Sequence, residues 1–162
     1  TEDQVLHACV HCFHDGDLAL RVREVVDIDG LLREQAGQAG FWDRLLARAA
    51  ELGLQRPLWY GLHFARAWLD CPVPGAVLAA LPPPAAPLRR IMDTLVALTM
   101  LPGDLDGPPS PGLRLARAAM LARYHRLRMP AHLLLPHLVR KTLLRLRASV
   151  AAKKEAPDAG AP

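Results

Sequence analysis

Long apolar runs are missing from this chain, because arginine and proline interrupt its hydrophobic stretches before they reach the length that crosses a bilayer. Nothing near its start combines a basic segment, an apolar stretch and a cleavage site, so no secretion signal is visible and a cytoplasmic protein is the expectation. Cysteine is scarce as well. Cys9, Cys12 and Cys71 are too few for a disulfide framework and leave one thiol over in any pairing, which points to reduced thiols. No segment alternates apolar and polar residues long enough to form a strand, and no repeat of fixed period is present. Acidic residues run out towards the end: residues 1–110 hold 14 Asp/Glu against 9 Lys/Arg, and 111–162 hold 2 against 11. An acidic body of charge −5 therefore precedes a basic end of charge +9, which could face an anionic partner or the body itself.

What is present is helical spacing. With 162 residues, 51% of them apolar, the chain can bury one core, and the pattern predicts an all-α bundle of about six to eight helices over residues 1–152. Thr1 and Gln4 stand at capping-box spacing, so the first helix should run from Glu2 to His14 and stop at Asp15-Gly16-Asp17. A second should run from Leu18 to about Ala36, and a third from Phe41 to Leu52, ended by Gly53. Pro57 suits the first turn of a fourth helix ending near Asp70. The following Cys71-Pro72-Val73-Pro74 must be extended or turning. A short helix over Gly75–Leu81, one over Ala85–Leu101, the loop 102–112, and helices over Leu113–His125 and Ala131–Ala152 complete the basic helical part, 76–152, with a kink or a start expected at Pro136. Residues 153–162 lack an apolar face and should be disordered.

The stretch "HACVHCFHDGD" (7–17) offers three histidines and two cysteines, which invites a zinc reading. Helical projection separates them. His7, His11 and His14 share a sector of roughly 60°, whereas Cys9 and Cys12 project with Val5, Leu6 and Phe13 towards the apolar side. With no second CxxC or HxxxH to complete a four-ligand site, the thiols read as small core hydrophobes and no metal site is expected. In "LRVREVVDIDGLLRE", Arg23 and Asp27 stand at i, i+4 and can form an ion pair. Asp27 and Asp29 sit in an otherwise apolar helix. If buried they need partners, and the histidine stripe with Asp15 and Asp17 is nearest in sequence. Trp42, Trp59, Tyr60, Phe64 and Trp68 could stack on a base, but their helical spacing reads as core.

The run "VLHACVHCFHDGDL…LRVREVVDIDGLLRE…GFWDRLLARAAELGLQRPLWYGLHFARAWLDCPVP", covering about residues 4–75, resembles the helical C-terminal region of the bacterial uncharacterised nucleotidyltransferases, a family found with polysaccharide and exosortase gene clusters. The resemblance implies transfer of a nucleotidyl group from an NTP to an acceptor. It places Arg23 beside the triphosphate and Asp27 at the catalytic edge, both in supporting roles, with His11 on the substrate side bracing the second helix. His7, Asp15, Asp17, Glu24 and Asp29 become structural supports, and Glu24 stands where the family usually carries aspartate. The family's catalytic α/β half supplies a Gly-Ser turn and two aspartates on a strand, which hold divalent ions. This chain has only Ser110 and Ser149, neither after a glycine. On the resemblance it is then a fragment that does not transfer nucleotides alone, with NTP and Mg²⁺ expected only alongside the missing half. The alternative is a free-standing helical module for protein or anion interaction, whose polar residues satisfy one another.

Overall fold

The computed structural model describes residues 1–14, 21–101 and 108–128, and beyond them only residues 136, 140, 143 and 144. The described residues form seven helices and no strand, the all-α bundle that the spacing predicts: α1 (Glu2–His14), α2 (Val22–Gln35), α3 (Phe41–Glu51), α4 (Gln55–Leu69), α5 (Gly75–Ala80), α6 (Ala86–Met100) and α7 (Pro111–Arg128). No described helix is long and apolar enough to cross a membrane. The chain divides into two compact units, Thr1–Tyr124 and His125–Pro162. The core and the candidate site both lie in the first.

Local chemistry sets the helix ends. At the start of α1 the Gln4 side-chain oxygen accepts a hydrogen bond from the Thr1 backbone nitrogen at 2.7 Å, one half of a capping box. Glu2 and Asp3 follow in the first turn, where a negative charge suits the helix dipole. Both also reach α3, Glu2 to Arg44 at 2.6 Å and Asp3 to Arg48 at 2.8 Å. α3 stops at Gly53, whose φ of 67° is open to glycine. The Leu54 amide donates back to Ala49 O at 2.8 Å and the Gly53 amide to Ala50 O at 3.2 Å, the two bonds of a Schellman motif. Pro57 falls in the first turn of α4, although that helix begins two residues before it. Cys71–Pro74 is non-helical, as its two X-Pro pairs require.

α1 is the central element, packed against α2, α3 and α4. Its buried face is Val5, Leu6, Cys9, Cys12 and Phe13, with Phe13 stacked on Phe64 of α4 at 5.4 Å between ring centroids. α1 and α4 come together at Gly61. A Cβ there would stand 2.3 Å from Cys9 Sγ, so only glycine leaves room for the thiol. Val25, Ile28 and Leu32 of α2 and Phe41, Leu45 and Ala49 of α3 close the core. Trp59, Tyr60 and Phe64 are buried and Trp42 and Trp68 half-buried, which is the core reading of the aromatic residues.

α6 and α7 differ from the inner helices in being apolar on two sides. α6 buries Met92, Val96 and Met100 but exposes Leu88, Ile91 and Leu98. α7 begins two residues before the expected Leu113 and continues past His125. It is fixed to the bundle by buried Ala116 and Met120 and by Arg123, whose guanidinium lies 5.7 Å from the Tyr60 ring centroid and donates to Phe13 O at 2.9 Å. That carbonyl belongs to the last described turn of α1. One arginine of the basic end is thus spent on the body itself. Of the helix expected over 131–152, Pro136, Arg140, Leu143 and Leu144 are helical. The rest of it, the expected kink, the tail 153–162 and most of the loop 102–112 lie outside the described residues.

Candidate functional site

The polar residues of α1 and α2 meet where the start of α2 crosses the last two turns of α1. His7 and His11 lie one turn apart on α1, with ring centroids 6.1 Å apart, and both are exposed. From α2, Glu24 and Asp27 stand at i, i+3 on the side that faces them. His7, Ala8, His11, Glu24 and Asp27 line a shallow cavity of about 190 Å³.

Arg21 holds this corner together. Its guanidinium forms an ion pair with Glu24 and donates from Nη2 to His11 Nδ1 at 2.9 Å, so that ring nitrogen acts as the acceptor. Glu24 Oε2 lies 3.6 Å from the same His11 nitrogen, is shielded from water, and takes no hydrogen bond among the described residues. Beneath it the Cys12 thiol is pushed up, first by burial and then by the negative charge of Glu24. Burial alone pushes Cys9 up to about 12. Both thiols are therefore protonated core groups, on the side of α1 away from the histidine stripe.

The family resemblance places His11, Arg23 and Asp27 around one substrate. The structure brings His11 and Asp27 to the same cavity but not Arg23, which is exposed and outside its lining. The arginine that meets His11 is Arg21, and its signal in the sequence is the i, i+3 spacing to Glu24. No ion pair joins Arg23 to Asp27, although their spacing allows one.

Asp29 also goes elsewhere. Two residues along a helix turn the side chain by about 200°, so Asp27 and Asp29 leave α2 on nearly opposite sides. Asp29 pairs with Arg33 through both carboxylate oxygens at 2.9 Å, and Arg33 donates from Nη2 to Leu69 O at 2.8 Å, tying α2 to the carbonyl end of α4. Burial acts to raise the Asp29 carboxyl, but hydrogen bonds from Arg33 and the Cys71 thiol, with the Arg33 charge, hold it below its ordinary value. Cys71 is pushed up to about 12, by burial first and then by Asp29. Asp29 thus helps clamp the middle of α2, through Arg33, to the end of α4. Asp15 and Asp17 lie outside the described residues.

A second histidine–carboxylate contact was not anticipated from the sequence. His63 of α4 meets Asp93 of α6 at 2.9 Å and stacks on Trp59 with 4.6 Å between centroids. The partners are 30 residues apart and no spacing rule links them. Its only visible cue is a histidine on an aromatic helix.

The α1/α2 cavity is rich in acceptors. Of its carboxylates Glu24 is already paired with Arg21, and His11, accepting from Arg21 at Nδ1, keeps Nε2 as a donor, so Asp27 is the carboxylate left to accept from a hydrogen-bond donor. Among the described residues no three His, Cys, Asp or Glu side chains are placed together to hold a metal ion. Residues 1–70, which span α1 to α4, match the family described as uncharacterised nucleotidyltransferase. No curated protein and no solved structure matches the chain.

Proposed function

We propose, from the match of residues 1–70 to the uncharacterised nucleotidyltransferase family, that α1 to α4 are the helical C-terminal part of a nucleotidyltransferase-like protein and do not transfer nucleotides by themselves. The observation that carries the reading is that the matched residues and the α1/α2 cavity coincide: every side chain lining that cavity lies within 1–70. Asp27, His7 and His11 supply its polar rim. Glu24, held by Arg21, fixes the crossing of the two helices.

Chemistry divides the labour between this part and a catalytic half. In nucleotidyl transfer the divalent ion, which aspartates of the catalytic half would hold, would neutralise the phosphates and activate the attacking oxygen. The described residues bring no three such side chains together for that ion. They fit a donor-bearing group instead, such as the exocyclic amine of a base or a hydroxyl of the sugar or acceptor, which Asp27 can accept from. Arg23, exposed on the neighbouring side of α2, remains available to a phosphate that approaches from outside the cavity.

The reading is tested by the DNA immediately upstream of the codon for Thr1. It expects a continuous frame encoding a Gly-Ser turn followed by two closely spaced aspartates in a strand pattern. An unrelated frame there overturns it.

A further inference from the structure

α7 presents an outward face that the bundle does not use and that the nucleotidyltransferase reading does not explain. Ala116, Met120 and Arg123 point inward and fix the rotation of the helix. Arg114, Leu115, Arg117, Ala118, Leu121 and Ala122 are left outside, all of them exposed. Leu115 is 71% exposed and Leu121 50%. At 100° per residue, Leu121 and Ala118 lie close to the line of Arg114, with Leu115 and Arg117 to either side. Leucines and arginines are therefore interleaved on one surface. The 18 residues of α7 contain no acidic side chain, and no carboxylate pairs with Arg114 or Arg117 among the described residues.

We propose that this face of α7 docks on an anionic lipid surface, with Leu115 and Leu121 entering the headgroup layer and Arg114 and Arg117 reaching the phosphates around them. Charge complementarity selects the partner: an all-basic helix inside a segment of charge +9 is attracted to a negative sheet of headgroups. The leucines select lipid over nucleic acid. A phosphate backbone rewards the arginines but has no use for two exposed leucines. Long arginine stems let the charge stay at the phosphates while the leucines sink, which is how an interfacial helix lies in the membrane plane.

Co-sedimentation of the 162-residue chain with phosphatidylcholine vesicles, with and without a quarter phosphatidylglycerol, tests this. The chain should pellet with the anionic vesicles, remain in solution with the neutral ones, and be released by salt. Changing Arg114→Gln and Arg117→Gln together should weaken partitioning about thirtyfold, about fivefold for each charge. Changing Leu115→Ser and Leu121→Ser should weaken it about tenfold with all charges kept. These are surface changes, and unaltered helical circular dichroism confirms that the bundle is intact. Equal pelleting with neutral vesicles, no pelleting of the unaltered chain, or full binding by both variants overturns the proposal. So does binding to poly(U) RNA that survives the leucine changes while the anionic vesicles stay unbound.

Discussion

Replacing Gly61 by alanine tests how closely α1 and α4 are fitted together. In an open helix the change would stabilise by about 0.8–1 kcal/mol through helix propensity alone. Here the added Cβ would stand 2.3 Å from Cys9 Sγ and 3.3 Å from Cys9 Cβ, both atoms of a residue with no exposed surface. To bring the first distance to an ordinary 3.4 Å contact, the two must separate by about 1.1 Å. The thiol has no exposed surface to swing into and lies within the close-packed core, so the helices themselves have to part. Overpacking of this kind costs about 1–3 kcal/mol, which leaves Gly61→Ala destabilised by up to about 2 kcal/mol after the propensity gain. Cys9→Ala alone should lose about 1 kcal/mol, the burial of one methylene-sized atom together with a small cavity. Combined, the two changes trade places: the new Cβ of residue 61 fills the space of the lost sulfur. The double variant should then be close to the unaltered chain, giving a coupling of about 1–3 kcal/mol in urea unfolding. Simple additivity of the two, or a Gly61→Ala chain more stable than its parent, would refute the crossing as described.

Two further changes probe the ends of the helices. Asp29, held below its ordinary value in the folded chain, contributes stability that is fully present above the unfolded carboxyl value of about 4 and is lost as the pH falls through the folded one. Asp29→Asn should therefore flatten the acid limb of a plot of melting temperature against pH, and an unchanged limb would remove Asp29 from that role. Arg123→Ala leaves the Phe13 carbonyl without its donor and empties the space over Tyr60, for a loss of about 1–3 kcal/mol by urea unfolding. Arg123→Gln should recover part of it because an amide can still donate to that carbonyl, and equal losses from the two would show that packing alone is at stake.

The sequence makes local features plain and long-range ones invisible. The first turn and the buried face of α1 are legible, because its cap and its apolar stripe lie within a few positions of one another. Helical projection also separated the thiols from the histidine stripe, and the burial of Cys9 and Cys12 follows that projection. The same projection, applied to α2, would have parted Asp27 from Asp29. Asp29 belongs to Arg33 and the end of α4 and not to the histidines. Arg23 drew attention through its i, i+4 spacing to Asp27, whereas Arg21 sits before the first turn of α2, where the pattern counts for less and tertiary contact decides. Gly61, with no side chain to place on a helix face, gave no hint that it makes room for Cys9. Arg123 reaches across 110 positions to Phe13, and composition counted it only as one charge of a basic helix.

The claim that this helical part works only beside a catalytic half is tested most directly by supplying the purified 162-residue chain with each of the four ribonucleoside triphosphates and Mg²⁺ and measuring pyrophosphate. The account predicts no release above buffer from this chain. It predicts release when the frame upstream is joined to it, weakened by Asp27→Asn and not by Asp29→Asn. Pyrophosphate from the 162-residue chain alone, or a joined protein indifferent to Asp27, would contradict it.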